Sequence, residues 1–144
     1  MVEITRRVEI DAGHRLLRHG GKCATLHGHR YAFEATVSGE VDRVGVVLDF
    51  ADLRTELERV VLGWDHAVVL ERGDPLIAVL ETAGQRVVAI ERAPSAESMA
   101  AIVADALAEA LAPRGVRVIG VRVYETPTCS AYATPQIDLA RGEP

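Results

Sequence analysis

The order of hydrophobic and polar positions changes period several times along the chain, and each change marks an element. Residues 2–10, VEITRRVEI, alternate loosely and predict a first strand. RYAFEATVSG predicts a second: Tyr31, Phe33, Ala35 and Val37 fall on one face, Glu34 and Thr36 on the other. Carried backwards with the same alternation, this strand puts His27 and His29 on the face of Tyr31. The turn SGEVDRVG and the short apolar run VVLDF follow. Asp49 is placed to cap a helix whose apolar stripe is Leu53, Leu57, Val60 and Val61, with Gly63 at its end. GDPLIAVLETAG predicts a short helix opening at Pro75, and QRVVAIE an extended segment.

The clearest helical run is SAESMAAIVADALAEALAPRG. Ser95 is an N-cap, and Glu97 sits in the first turn, where the helix dipole favours an acid. Met99, Ile102, Val103, Ala106, Leu107, Ala110 and Leu111 keep the helical spacing until Pro113 and Gly115 stop it. VRVIGVRVYE is a strand, and TPTC a turn into a last short strand near SAYAT. Strand, strand, helices, strand, strand predicts an α+β fold: an antiparallel four-stranded sheet with two main helices on one face. A chain of 144 residues fits one domain, 1–144, whose core needs no disulfide staples.

Composition narrows the classes. The formal net charge of −5 argues against general nucleic-acid binding. Arg15, Arg18, Lys22 and Arg30 nevertheless cluster around one motif and suggest a local anion site. The two cysteines, Cys23 and Cys129, are too few for a disulfide framework and fit a reducing cytoplasm. No stretch approaches the roughly 20 apolar residues of a membrane span, and the N-terminus shows no cleavage-site pattern. A cytoplasmic protein with neither membrane nor nucleic-acid partner is expected. Fifteen arginines against one lysine and no asparagine read as base-composition bias of the source genome.

The motif is KCATLHGH, Lys22 to His29. His27 and His29 offer two ligands from one strand face, and a metal site needs at least one more. His14, at the end of the first strand, is the natural third, because hairpin pairing brings that strand beside the motif. Three histidines leave a coordination position open, as in a catalytic zinc site. Cys23 is either a fourth ligand, which would close the site, or a thiolate base standing off the metal. Asp65 and His66, in WDH, make a proton shuttle if they touch. Glu125 lies in line with Ile119, Val121 and Val123, and an acid in line with a buried face needs a partner. A ligand edge with two parallel N–H donors would suit it. Each of these residues also has an ordinary structural explanation when taken alone.

Together they resemble the 6-pyruvoyl-tetrahydropterin synthase family, and its bacterial 6-carboxy-tetrahydropterin synthase branch most. The similarity runs through AGHRL, CATLHGH, GVVLDFADL, DH, APSAESMA and YETPTCSA in that order. It implies zinc on His14, His27 and His29, Cys23 as catalytic thiol, and Asp65 with His66 as acid–base pair. It implies Glu125 as the pterin anchor, with Thr126 following it, and leaves Glu97 outside the catalytic set. The implied substrate is 7,8-dihydroneopterin triphosphate. The implied products are 6-carboxy-5,6,7,8-tetrahydropterin, acetaldehyde and triphosphate, on the way to 7-deazaguanines such as the queuosine precursor. The implied fold is the T-fold, assembled as a hexamer from two trimers with sites between subunits. By charge, Arg15, Arg18, Lys22 and Arg30 would receive the triphosphate. The segment ERGDPLIAVLETAGQRVVAIERA is long for the family core. Two alternatives stay open: pyruvoyl synthase activity on the same substrate, and a zinc- or pterin-binding protein without turnover.

Overall fold

In the computed structural model, residues 1–136 are described; the domain expected over 1–144 extends past them. The frame is a long antiparallel hairpin of β1 (Val2–His14) and β2 (His27–Gly39). Their register is unbroken from Val2 opposite Gly39 to His14 opposite His27. β5 (Arg117–Thr126) pairs antiparallel with β2, and β6 (Cys129–Ala133) antiparallel with β5. On the other edge, β3 (Ala67–Glu71) runs parallel to β1, and β4 (Val87–Ile90) parallel to β3. The order is β4-β3-β1-β2-β5-β6.

The sheet is therefore six-stranded and mixed, not the antiparallel four-stranded sheet expected. The antiparallel four, β1, β2, β5 and β6, are present. The additional pair comes from AVVLE and VVAI, joined through helix α2 (Leu76–Thr82). Short apolar runs carry no alternation, so period alone cannot distinguish a doubly covered strand from buried helix or loop. The unusually long segment thus builds a parallel strand–helix–strand unit on the β1 edge. VVLDF, in contrast, forms no strand.

Helices α1 (Phe50–Val61) and α3 (Ala96–Leu111) pack together over one face of the sheet. Their starts follow the capping signals: Asp49 accepts from Ala51 N at 2.7 Å, and Ser95 from Ser98 N at 3.2 Å. α1 buries Leu53, Leu57 and Val61; α3 buries Met99, Val103, Leu107 and Leu111. They meet Ile10, Tyr31, Phe33, Val37, Val121 and Val123 from the sheet, and each fully buried large apolar side chain contributes about 1.5–3 kcal/mol. Gly115, with φ of 70°, ends the turn after α3 in the left-handed conformation.

Strand β5 departs from simple alternation twice. Gly120 opposes Thr36 and Val118 opposes Val37, so Ile119 is an extra residue. That bulge puts Val118, not Ile119, in line with buried Val121 and Val123. The second bulge falls at Glu125, between the pairs Tyr124–Ser130 and Thr126–Cys129.

Candidate metal centre and active site

Pairing and pleat together place three imidazoles at one end of the helix-covered face. His14 lies directly across from His27, and Ala12 across from His29. All three histidines share the face of Ile10, Tyr31 and Phe33. His14 is 1% exposed; His27 and His29 are half-buried. One ligand nitrogen from each lies within 4.8 Å of the others, and His14 Nε2 to His27 Nε2 is 3.2 Å. The rings pack edgewise, with His14 and His29 also standing against Tyr31 at centroid distances of 5.6 and 5.5 Å.

The backbone fixes which nitrogens are free. His14 Nδ1 donates to Pro94 O at 2.7 Å, and His27 Nδ1 to Thr25 O at 2.6 Å. A carbonyl only accepts, so both Nδ1 atoms carry the proton and neutral rings present bare Nε2 lone pairs. Burial lowers the pKa of His14 and His29, which favours the neutral form. His29 Nε2 is buried without any hydrogen-bond partner. Bare nitrogens converging at these distances repel each other unless a cation lies among them. The donor set fits a divalent metal that prefers imidazole, zinc included, with carbonyls orienting the rings.

Other predicted residues divide into those near this centre and those away from it. Glu125 reaches it: Oε1 is 3.4 Å from His29 Nε2, and Oε2 is 4.0 Å from His14 Nε2. Cys23 lies half-buried in a single 3₁₀ turn, Lys22–Ala24, and its carbonyl accepts from Leu16 N at 2.8 Å. Burial, then the charges of Glu125 and Cys23, push the Tyr31 hydroxyl pKa up, so both groups lie within electrostatic reach of that side chain. Thr126 is turned to the β5–β6 connection, where its Oγ1 accepts from Thr128 N at 3.3 Å. Glu97 is exposed in the first turn of α3.

Asp65 and His66 form a pair, but not with the three histidines. His66 Nδ1 donates to Asp65 Oδ2 at 3.0 Å. His66 N donates to Asp11 O at 2.7 Å, while Asp65 Oδ1 accepts from Asp11 N at 3.0 Å. The Asp11 N–H bond first, and His66 second, hold the Asp65 carboxyl below its ordinary pKa. His66 has φ of 52°, the only positive value outside glycine among the described residues. Histidine tolerates this region better than most residues. His66 lines a cleft of about 480 Å³ with Asp11, Gly13, Gly28 and Arg30, which alternate out of phase with the metal-facing histidines, and with His29 itself. No hydrogen bond or ion pair joins the dyad to the three imidazoles among the described residues.

The expected triphosphate cluster does not survive as drawn. Arg15 is bidentate to Asp74, Arg18 pairs with Glu71, and Arg30 pairs with Glu9 at 2.9 Å and Asp11 at 3.2 Å. Local acids already neutralise three of the four cations, because β1 and the β3–α2 segment bring partners that sequence proximity does not show. Sequence reasoning also missed Arg86, which donates to Asp65 O at 2.9 Å and Gly63 O at 2.8 Å. Nothing in its local sequence signals that role. Tyr31 was visible only as a strand residue, although an aromatic two places beyond a histidine on one strand face is positioned to pack on it.

The family model described as 6-pyruvoyl tetrahydropterin synthase matches residues 3–136. The chain belongs to the 6-pyruvoyl tetrahydropterin synthase family. A protein of Halobacterium salinarum named probable 6-carboxy-5,6,7,8-tetrahydropterin synthase is 39% identical over 128 residues, 88% of this chain and 82% of the relative. The 6-carboxy-5,6,7,8-tetrahydropterin synthase of Rickettsia bellii is 34% identical, covering 90% of this chain and 97% of its own. A catalytic-residue mutant of the Plasmodium vivax 6-pyruvoyltetrahydropterin synthase shares the fold, with a TM-score of 0.74 at 22% identity over 92% of this chain and 96% of that one. The strands and helices that position the histidines thus belong to the synthase fold.

Proposed function

We propose that this protein is a zinc-dependent lyase converting 7,8-dihydroneopterin triphosphate to 6-carboxy-5,6,7,8-tetrahydropterin, with release of acetaldehyde and triphosphate. The observation that carries the reading is the convergence of the His14, His27 and His29 nitrogens, in a chain with curated relatives that bear the 6-carboxy-tetrahydropterin synthase name. His14, His27 and His29 would hold the zinc, which supplies Lewis acidity toward the hydroxyls of the pterin side chain. Cys23, as thiolate, takes a proton from that side chain. His66 relays a proton through Nε2 while Asp65 holds the opposite ring nitrogen and fixes the tautomer. Glu125 receives the parallel N–H donors of the pterin ring, with Thr126 beside it.

No hydrogen bond or ion pair joins the dyad to the three imidazoles among the described residues, so in this reading Asp65 and His66 of a neighbouring copy serve the metal centre. We accordingly propose one T-fold domain assembled as a hexamer of two trimers, with composite sites. No helix among the described residues is long and apolar enough to cross a membrane. A cytoplasmic role in 7-deazaguanine supply, at the level of the queuosine precursor, completes the proposal.

Incubation of zinc-loaded protein with 7,8-dihydroneopterin triphosphate tests it. Mass analysis should give 6-carboxy-tetrahydropterin with stoichiometric acetaldehyde. Pyruvoyl-tetrahydropterin without acetaldehyde would overturn the assigned product and leave the metal ligands standing. Unconsumed substrate over folded, zinc-loaded protein would reject the enzyme reading.

A further inference from the structure

We infer that Asp74 is a positioning residue for Cys23: paired with Arg15, it fixes the connection between β1 and β2 that carries the thiol. This rests on the reading of Cys23 as the proton-accepting thiolate and goes beyond it by naming what holds that thiol in place. Residues 15–26 leave the hairpin ladder after the pair His14–His27. Their backbone groups therefore need other partners. One bond spans the base of the connection: Leu16 N donates to Cys23 O at 2.8 Å. The bonds from His19 N to Leu16 O, Ala24 N to Gly21 O and Thr25 N to Lys22 O close only short turns. The placement of Cys23 thus follows that of Leu16.

Leu16 is set in turn by its neighbour Arg15. Arg15 Nε donates to Asp74 Oδ2 at 2.8 Å, and its Nη2 to Asp74 Oδ1. A two-point contact of this kind fixes direction as well as distance. The Asp74 side chain is 1% exposed and that of Arg15 20%. A carboxylate buried so deeply is costly without its partner, which ties Arg15 to it. Asp74 is itself anchored: Oδ1 also accepts from Leu76 N at 2.8 Å at the start of α2, and Asp74 N donates to Glu71 O at 3.0 Å.

The register explains how the β3–α2 segment reaches the connection. β3 runs parallel to β1, and their last pair is His14–Val69. From there both chains continue the same way, β1 into Arg15 and β3 into Glu71 and, after the turn at Gly73, Asp74. Glu71 pairs with Arg18, a second tie between the same two segments. No hydrogen bond or ion pair joins Asp74 or Glu71 to the three histidines among the described residues. The imidazoles are held by hairpin pairing and by carbonyls, whereas the thiol's connection is held by the strand–helix–strand unit at the β1 edge. Loosening Asp74 should therefore displace the thiol and leave the metal.

The test uses full-length, zinc-loaded protein carrying Cys129→Ser, which leaves Cys23 as the chain's only thiol. In Asp74→Asn, kcat on 7,8-dihydroneopterin triphosphate should fall about 10- to 100-fold with KM changed less than about threefold, the effect of misplacing a reacting group by about an ångström. Zinc should stay stoichiometric. Alkylation of Cys23 by iodoacetamide and amide exchange of Leu16 should both quicken about tenfold or more, because a connection released from its anchor opens more often. Arg15→Met combined with Asp74→Leu removes both charges, so Tm should return toward the parent while kcat and exchange stay at the single-variant level. This double variant also carries the test should Asp74→Asn fold poorly. Recovery of kcat along with Tm would overturn the inference and leave the pair a matter of stability alone. Unchanged alkylation and exchange in Asp74→Asn would overturn it too, as would loss of zinc, which would route the effect through His14. Full activity in Cys23→Ala would instead overturn the thiolate reading beneath it, a result on which the alkylation and exchange rates do not depend.

Discussion

The two faces of the central hairpin hold the two halves of the proposed chemistry, built in different ways. On the helix-covered face, unbroken pairing from Val2–Gly39 to His14–His27 sets the imidazoles, and carbonyls fix two ring tautomers. On the opposite face, Asp65 and His66 sit on a turn held through the backbone of Asp11, by its own backbone bonds and by Arg86. The His66 side chain is 77% exposed and has no partner beyond Asp65 among the described residues. One half is preorganised within the chain. The other is oriented but, among the described residues, makes no hydrogen bond or ion pair with the imidazoles, which is what the proposed composite site requires.

The sharpest way to break this contrast is to remove a ligand from the first half. His27→Ala should abolish stoichiometric metal binding and reduce turnover by about 10³-fold or more, because the Lewis-acid contribution is several kcal/mol. His66→Ala should leave metal content unchanged. Metal analysis beside steady-state assays checks both, and loss of metal from His66→Ala would show that the halves are not separate.

Cys23→Ala comes next, with turnover falling about 10²- to 10⁴-fold and metal retained. Metal release from this variant would make Cys23 a ligand. Neither Cys23→Ala nor His66→Ala should be active alone. If sites are composite, oligomers dissociated and reassembled from an equal mixture of the two should regain about a quarter of wild-type activity, as random pairing of complementary subunits gives. An inactive mixture, with subunit exchange verified by mass, would place both halves of each site in one chain.

A smaller effect separates the halves by pH. In the metal-free protein, burial lowers the pKa of His14 and His29. Unfolded histidine titrates near pH 6.5, so below that value the unfolded chain binds more protons than the native one. Stability therefore holds above about pH 7 and falls as pH drops through 6.5 toward the lowered folded values. Thermal melts of chelator-treated protein between pH 5 and 8 should show that slope. His14→Gln should flatten it; an unchanged slope would assign it to other groups.

How much of this was legible in the sequence differs between the halves for a physical reason. Alternation through Tyr31, Phe33, Ala35 and Val37 carries back to His27 and His29, so one strand fixes two imidazoles. His14 needs only the hairpin partner of that strand. The capped helices were legible too, since Asp49 and Ser95 are local signals. Strand β4 was legible as the extended segment QRVVAIE, but β3 was not, because AVVLE has no period to read, and neither run shows that the two pair in parallel. Bulges are also silent in sequence: Ile119 is displaced from the core row, whereas Glu125 keeps the alternation of Val121 and Val123 and was legible as an acid on that face. The arginines near the motif looked like an anion site because their partners Asp74 and Glu71 are distant in the chain.

The smallest perturbation tests how independent the faces are. Gly28 lies between His27 and His29 and opposes Gly13, with its missing side chain on the dyad's face. A Cβ there would stand 3.1 Å from Ala12 O, a backbone atom with little room to yield. Gly28→Ala should therefore cost about 1 kcal/mol, at the mild end of overpacking. That corresponds to roughly 3–6 °C in Tm for a chain of this size. Its Cβ points away from the imidazoles, so metal affinity should stay within about twofold. Complementation with Cys23→Ala should suffer if the neighbour's approach uses this face. A tenfold loss of metal affinity at unchanged Tm would mean that strain crosses the strand directly, and the two halves would then be one mechanical unit.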